Sequence, residues 1–488
     1  MKIGPKILLS ILAGFLSGFC LPDRFYDPFD PFKQSLVFFC LVPLFVTLYT
    51  EKSPLATAAY SFLAGLIHNL KGWYFLLGIH PLSWMGLNDQ VSLLASWAGW
   101  MVASTEQALF WGIAGVSFVT LNRLLPERFF WSMPLFGAIL WVVLVEIFPE
   151  NFSLQIPWNS IHLALASNPF LSLSAKITNA HILSFWLIST HIFVAIFVSD
   201  FFSSRFQFKK YFSSLIVQLV LSSLLIGFCT YQILFSSSSD SASLAFRALL
   251  VQENLTTAET RINRPSAGRF YQSIANVLRK EPADLVILPE GTLPQDQLHL
   301  LASCLRAEYG AIAILAGSYE HTPRQIFNSA TLIDKNGEMQ NYRKRILVPF
   351  GEFIPSAALW EKVLAVLKLE RLMHGNFAAG KEHDLLSIQG QEIAPLICFE
   401  IAFPELVFAQ IHQNSSADIR ALVLLGDISW FHEKRMQVAA QMMAQARFRA
   451  IESSRPLLVS INAGPLAFID SRGKLYELET NATALSLP

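Results

Sequence analysis

Three residues in the second half of the chain have the side-chain types that acyl transfer needs. The run LVILPE ends in Glu290, the run NYRKRILVPFGEFIP carries Lys344 and Glu352, and the run APLICFE carries Cys398 followed by Phe399 and Glu400. A thiolate attacks a carbonyl, a carboxylate shuttles the proton, and an ammonium stabilises the oxyanion. Taken singly, each also has an ordinary reading. A cysteine at a strand end is commonly a small buried hydrophobe, Glu290 could be a turn carboxylate, and Lys344 sits in the basic trio Arg343-Lys344-Arg345. Spacing along the chain does not bring the three together. There is no Ser/His/Asp motif, Walker loop, zincin helix or paired CxxC, so no motif implies a metal, a nucleotide or another cofactor.

The elements that must position these groups are legible from periodicity. Apolar runs predict strands at 244–252, 284–289, 311–318, 327–334, 392–398, 421–426, 456–462 and 466–470. Amphipathic stretches predict helices at 267–280, 295–308, 403–413 and 433–453. Alternation of the two argues an α/β domain with a largely buried sheet, its functional residues at strand ends and in the following loops. Cys304 is expected on the buried face of its helix and unpaired.

The first half of the chain is different. Of 488 residues 53% are hydrophobic and 15% charged, with a net charge of +0, which excludes a disordered chain and a nucleic-acid binder. Residues 1–236 hold twelve Lys/Arg and ten Asp/Glu, whereas residues 237–488 hold 24 and 26. The boundary falls at the polar run Ser236–Ser239, giving a transmembrane bundle over 1–236 and a globular domain over 237–488. Runs long enough to span a bilayer lie at 6–22, 33–50, 54–79, 91–121, 130–148, 169–199 and 212–235, seven in all. Residues 150–168 are expected as a loop at the interface. Lys2, Lys6, Lys52, Arg123, Arg128, Arg205, Lys209 and Lys210 fall on one side of such a bundle. The N-terminus is therefore expected in the cytoplasm and residues 237–488 outside. The first run lacks a signal-cleavage site. His68, Lys71, Glu106 and Glu146 lie within spans, too few for an ion path.

The order Glu290, Lys344, Cys398 resembles the Glu–Lys–Cys triad of the nitrilase (carbon-nitrogen hydrolase) superfamily. The stretch Tyr342 to Pro355, with Val251-Gln252, Cys398-Phe399-Glu400, Trp430-Phe431 and the segment Ala446 to Pro456, is similar to the apolipoprotein N-acyltransferase family. So are Gly72-Trp73-Tyr74, Trp141 with Glu146, and Ile156-Pro157-Trp158 in the apolar half. The resemblance implies an α-β-β-α sandwich outside the bacterial inner membrane. In it Cys398 is the nucleophile, Glu290 the general base and Lys344 the oxyanion stabiliser. Glu352 orients Lys344 or tunes Glu290, while Phe399 and Glu400 line the site. It also implies the partners: a phospholipid acyl donor such as phosphatidylethanolamine, diacylglyceryl apolipoproteins and the bilayer.

An apolar rim is expected from Phe350, Phe353, Ile354 and Leu359-Trp360, with core packing as the alternative. Three features depart from the family pattern: no tryptophan follows Val251-Gln252, Gly291 follows Glu290, and GDIS precedes Trp430. The family usually closes with an eighth span, and residues 472–488 contain none. Two other readings share these residues, a membrane-tethered amidohydrolase and a catalytically dead membrane scaffold.

Overall fold

The computed structural model describes residues 3–23, 30–150, 156–203, 208–235, 246–261, 265–354, 377–414, 417–477 and 483–485. The chain divides into two compact units, one of Met1–Leu77 with Leu94–Ser237 and one of Gly78–Leu93 with Ser238–Pro488.

In the first unit, four helices are long and apolar enough to cross a membrane among the described residues: Ile3–Cys20, Glu127–Glu150, His181–Phe202 and Tyr211–Phe235. This is fewer than the seven runs expected from the sequence, and the reasons are local. The run 33–50 is broken in two. Asp30 caps a six-residue helix, Pro31–Leu36, by accepting from the N–H groups of Phe32 and Lys33, and the chain turns before Pro43 starts Val42–Thr50. Proline fits a first helical turn and not a helix interior. The helix Pro54–Gly72, capped by Ser53, gives way to a 3-10 turn at Tyr74–Ile79. Residues 91–121 lie in one helix, Asp89–Leu124, but Ser92, Ser96, Ser104, Glu106 and Gln107 dilute its hydropathy. The run 169–199 opens with a 3-10 turn at Leu171–Lys176 and becomes α-helical at His181. Residues 156–166 do not lie on an outer face. Ile156, Trp158, Ile161 and Leu165 are buried in the unit, and the Asn159 carbonyl lies 2.9 Å from His68 Nε2. Lys71 is half-exposed near Asp23.

The second unit is built on two six-stranded sheets. The first has the order β12-β1-β2-β3-β4-β5 and the second β11-β10-β9-β8-β7-β6. The strands are β1 Ala248–Leu250, β2 Leu285–Leu288, β3 Ala313–His321, β4 Ile326–Ile333, β5 Met339–Arg343, β6 Leu386–Ile388, β7 Gln391–Ile397, β8 Ile419–Asp427, β9 Leu457–Asn462, β10 Leu466–Ile469, β11 Leu475–Glu477 and β12 Thr483–Leu485. In each sheet three central strands run parallel, β1-β2-β3 and β7-β8-β9, and antiparallel strands complete the edges.

Period-two alternation decides what each strand faces. Leu250, Leu285, Ile287 and Leu315 point into a core shared with Ile393, Ile397, Val423, Leu425 and Leu458 of the other sheet. Their neighbours Leu249, Val286, Leu288 and Ile314 point outward, onto Phe270, Ile274 and Leu278 of helix Ala267–Leu278 and Leu298, Leu301 and Leu305 of helix Gln295–Tyr309. Helix Arg435–Ser453 packs against β9 and β10. The result is the expected α-β-β-α sandwich, whose parallel strands are apolar on both faces because both are covered. Cys304 is helical but exposed, contrary to the sequence expectation. The buried stripe of its helix runs through Leu298, Leu301, Ala302 and Leu305, and Cys304 falls off it.

Ile287→Ala is expected to cost about 2–5 kcal/mol, because the inter-sheet core cannot collapse around the void. Leu300→Ala, on a half-exposed side chain, is expected to stay within about 0.5 kcal/mol. Thermal or denaturant unfolding of the detergent-solubilised chain measures both.

Candidate active site

Each candidate residue stands just beyond the C-terminal end of a strand: Glu290 after β2, Lys344 after β5 and Cys398 after β7. Open α/β sheets gather ligands at such ends, and here two facing sheets contribute.

Glu290 sits on a turn braced against β3. The Gly317 N–H donates to the Pro289 carbonyl (3.1 Å) and the Thr292 N–H to the Gly317 carbonyl (3.0 Å). A Cβ at Gly317 would lie 2.3 Å from the Glu290 Cα, so only glycine allows this approach. Gly291 has φ +64°, a left-handed conformation that accounts for glycine here in place of a Cβ-bearing residue.

Lys344 is buried to 1% exposure, which removes the solvated-cluster reading. Its Nζ lies 2.9 Å from Glu352 Oε2 and 3.4 Å from Glu290 Oε1. Asn328, on β4, donates its side-chain amide to both carboxylates, at 2.7 Å to Glu290 Oε1 and 2.6 Å to Glu352 Oε1. Glu352 also accepts from the Val348 N–H at 2.8 Å. Burial alone pulls the Lys344 pKa down, but Glu290 and Glu352 more than reverse it and hold the ammonium charged above the ordinary lysine value. Burial likewise pushes Glu352 up, and the Lys344 charge and the Val348 N–H bring it below the usual carboxylate value.

Cys398 opens the 3-10 turn Cys398–Ala402 at φ +53°. That left-handed backbone costs a non-glycine residue about 1–2 kcal/mol, and it ends the strand by turning the chain. Cys398 is only partly buried. Burial and then the Glu290 charge push its thiol pKa well up, while Lys344 and the Asp427 N–H oppose this. A thiol so raised rests protonated and needs a base to become a nucleophile.

Glu400 is fully buried. It accepts from Tyr342 Oη (2.9 Å) and the N–H groups of Arg345 (2.7 Å) and Ile397 (2.8 Å). It thus ties the turn after β7 to the loop that carries Lys344, and its carboxylate faces backbone donors. Burial raises its pKa against these donors. The Phe399 ring packs on Phe403 at 5.2 Å. Phe350 is exposed and Phe353 and Ile354 half-buried; Leu359 and Trp360 lie outside the described residues.

Two of the departures noted in the sequence meet in space. Asp427 Oδ1 accepts from Asn462 Nδ2 and the Ser429 N–H, each at 2.9 Å. Asn462 bonds both backbone groups of Leu255, and Thr257 Oγ1 is 3.2 Å from Ser429 Oγ. The altered segment after Gln252 and the altered GDIS segment are therefore joined in one buried hydrogen-bond network. Asn328 and Asn462 escaped sequence reading because each is a lone amide in an apolar strand run; their only signal is a polar residue where the strand should be buried.

Asn328→Leu is expected to destabilise the chain by roughly 2–4 kcal/mol, since two buried carboxylates lose a shared donor. Unfolding of wild type and variant measures it. The pH dependence has two limbs. Lys344, raised, contributes stability that is complete below about pH 10.4, the unfolded lysine value, and is lost as pH rises through the folded pKa. Glu352, lowered, contributes stability present above about pH 4.3 that is lost as pH falls. Between those limbs the Lys344 and Glu352 contributions are constant, whereas the raised Cys398 thiol loses its own as pH climbs past about 8.5. Unfolding midpoints should fall from there, and Glu352→Gln should lower the midpoint at neutral pH and weaken the acid limb.

The model of the carbon-nitrogen hydrolase family matches residues 247–479, and that of the apolipoprotein N-acyltransferase N-terminal domain matches residues 25–193. The chain is 25% identical over 476 residues to the apolipoprotein N-acyltransferase of Nitrosomonas europaea, covering 96% of this chain and 88% of that protein. It is 25% identical over 513 residues to that of Rhizobium leguminosarum bv. trifolii, covering 96% and 87%, and 28% identical over 447 residues to that of Gloeobacter violaceus, covering 90% and 80%. Two domain matches in this order, and relatives aligned over most of the length, mean that the chain belongs to the apolipoprotein N-acyltransferase family.

Proposed function

We propose that the chain moves a fatty acyl group from a membrane phospholipid to the α-amine of a diacylglyceryl-cysteine at an apolipoprotein N-terminus. The acyl group passes through a thioester on Cys398. The observation that carries this reading is the buried Lys344 ammonium held between Glu290 and Glu352, in the electrostatic neighbourhood of the Cys398 thiol.

In the first half-reaction Glu290 takes the Cys398 proton and the sulfur adds to the donor ester carbonyl. Lys344 stabilises the tetrahedral oxyanion. As the C–O ester bond breaks, Glu290 returns the proton to the leaving lysophospholipid oxygen. In the second half-reaction the substrate amine attacks the thioester and Glu290 takes its proton. The C–S bond breaks and the thiolate is reprotonated, leaving an amide. Glu352 and Asn328 keep Lys344 and Glu290 aligned without touching substrate. An amide is more stable than a thioester, so no energy donor is needed, and the covalent intermediate makes the kinetics ping-pong. Water must be kept from the thioester; the apolar side chains of Phe350, Phe353 and Ile354 are suited to this.

The apolar unit explains why such an enzyme has membrane helices. Each buried CH₂ is worth about 0.8 kcal/mol, so neither donor nor triacylated product leaves a bilayer cheaply. The chain is a multi-pass inner-membrane protein with a cytoplasmic N-terminus and residues 237–488 outside. Seven crossings fit the one-sided lysines and arginines. Phosphatidylethanolamine is the donor.

Incubation with phosphatidylethanolamine followed by intact mass spectrometry tests the chemistry. Wild type should gain one acyl mass, sensitive to hydroxylamine. Cys398→Ala should gain none, and Lys344→Met should acylate at least about 100-fold more slowly. No adduct on wild type, with release of free fatty acid or with no turnover at all, would sink the transferase reading; the former would favour the hydrolase.

A further inference from the structure

The apolar unit holds a buried side-chain cluster that the proposed reaction does not use. Glu146 lies on the π-helical turn Val143–Ile147, an irregularity often found at functional positions. His162 lies on the 3-10 turn Ile161–Leu165 and His181 opens the helix His181–Phe202. All three are buried. Glu146 Oε2 is 3.4 Å from His162 Nδ1 and 3.8 Å from His181 Nε2, and one donor atom from each of the three residues falls within 4.8 Å of the others.

We propose that Glu146, His162 and His181 bind a divalent metal ion of the zinc type, with Glu150 as the nearby second carboxylate. Zinc holds nitrogen and oxygen donors at about 2.0–2.2 Å in a tetrahedron, which sets its ligand atoms about 3.3–3.5 Å apart. The 3.4 Å between Glu146 Oε2 and His162 Nδ1 already has that spacing, and the 3.8 Å to His181 Nε2 needs a few tenths of an ångström. The cluster as a whole, whose donor atoms lie within 4.8 Å of one another, contracts on binding. Glu146 Oε2 is buried yet accepts no hydrogen bond, whereas Oε1 is held by Ser184 Oγ at 2.8 Å and the Ile161 N–H at 3.3 Å. Ser184 Oγ is also 2.9 Å from His162 Nδ1. Ser184 therefore fixes one Glu146 oxygen, as an outer partner fixes a metal ligand, and the other is presented; His162 exchanges its Nδ1 contact with Ser184 for the ion on binding. Glu150 Oε1 stands 3.6 Å from His181 Nε2. Two carboxylates, two neutral imidazoles and a divalent cation sum to zero charge, which an apolar interior requires of buried ions. The ion would pin the π-helical turn and the 3-10 turn, which lack continuous α-helical hydrogen bonding, to the start of the helix His181–Phe202. The ligands stand 16 and 19 residues apart in the sequence, a spacing that matches no metal motif, so only the fold assembles them.

The test uses full-length Cys398→Ala/Cys304→Ser chain in detergent, which removes the two thiols most able to take up zinc elsewhere. After chelator treatment, zinc addition and desalting, elemental analysis should give about one zinc per chain. Adding His162→Gln and His181→Gln should cut this at least tenfold and abolish a zinc-dependent rise in unfolding temperature. Should those variants not fold, Co²⁺ replaces zinc in the background chain, where a tetrahedral site gives intense visible d–d absorption. Substoichiometric zinc in the background chain, equal retention by the histidine variant, or absent tetrahedral Co²⁺ absorption overturns the proposal in favour of a metal-free imidazolium–carboxylate network. None of these readouts depends on acyl transfer.

Discussion

A lysine ammonium buried to 1% exposure constrains the rest of the second unit. Stripped of water, such a charge persists only with opposite charges and hydrogen bonds around it. Glu290 and Glu352 provide the charges and Asn328 clamps both carboxylates in place. Those groups come from the end of β2, from the loop after β5 and from β4. Registers must therefore hold from β2 to β5 for the ammonium to be tolerated. The same requirement explains the tight turn at Glu290, which rests on Gly317 where a side chain would collide.

The second sheet enters through Cys398. Its left-handed backbone is a strain that the surroundings must hold, and Glu400 is the group that holds it. A single carboxylate takes donors from the start of the turn, at Ile397, from β5, at Tyr342, and from the Lys344 loop, at Arg345. The thiol and the ammonium, on different sheets, are thereby coupled through one buried side chain. Phe399 and Glu400 follow the thiol in sequence: the first packs on Phe403 and the second braces the backbone.

Much of this was legible beforehand where a short pattern carries a physical meaning. Strands such as 284–289 and 421–426 were read within two residues or so, because fully covered strands are short, continuous apolar runs. The amphipathic helices 267–280 and 295–308 were read equally well from their stripes. The strands β5, β6, β11 and β12 were not, being short edge elements whose pairing rather than composition makes them strands. Among the described residues only four of the expected runs form helices long and apolar enough to cross a membrane, because a composition window cannot see a helix stop: Asp30-Pro31 and Pro43 divide one run, and a 3-10 turn delays another until His181. Cys304 was misplaced because the apolar stripe of its helix leaves it to solvent.

By itself the sequence determined the division into an apolar and a globular half and the residue types available for acyl chemistry. Both follow from local composition, and composition needs no contacts. Only the tertiary structure decided which of those residues meet. Lys344 could be a solvated base or a buried ion, and the choice depends on two carboxylates and an amide that lie 8 to 54 residues away along the chain. Glu146, His162 and His181 are likewise unrelated in sequence and neighbours in space. Burial turns such encounters from incidental into obligatory, since a charged group without water must find its partners wherever the fold has put them.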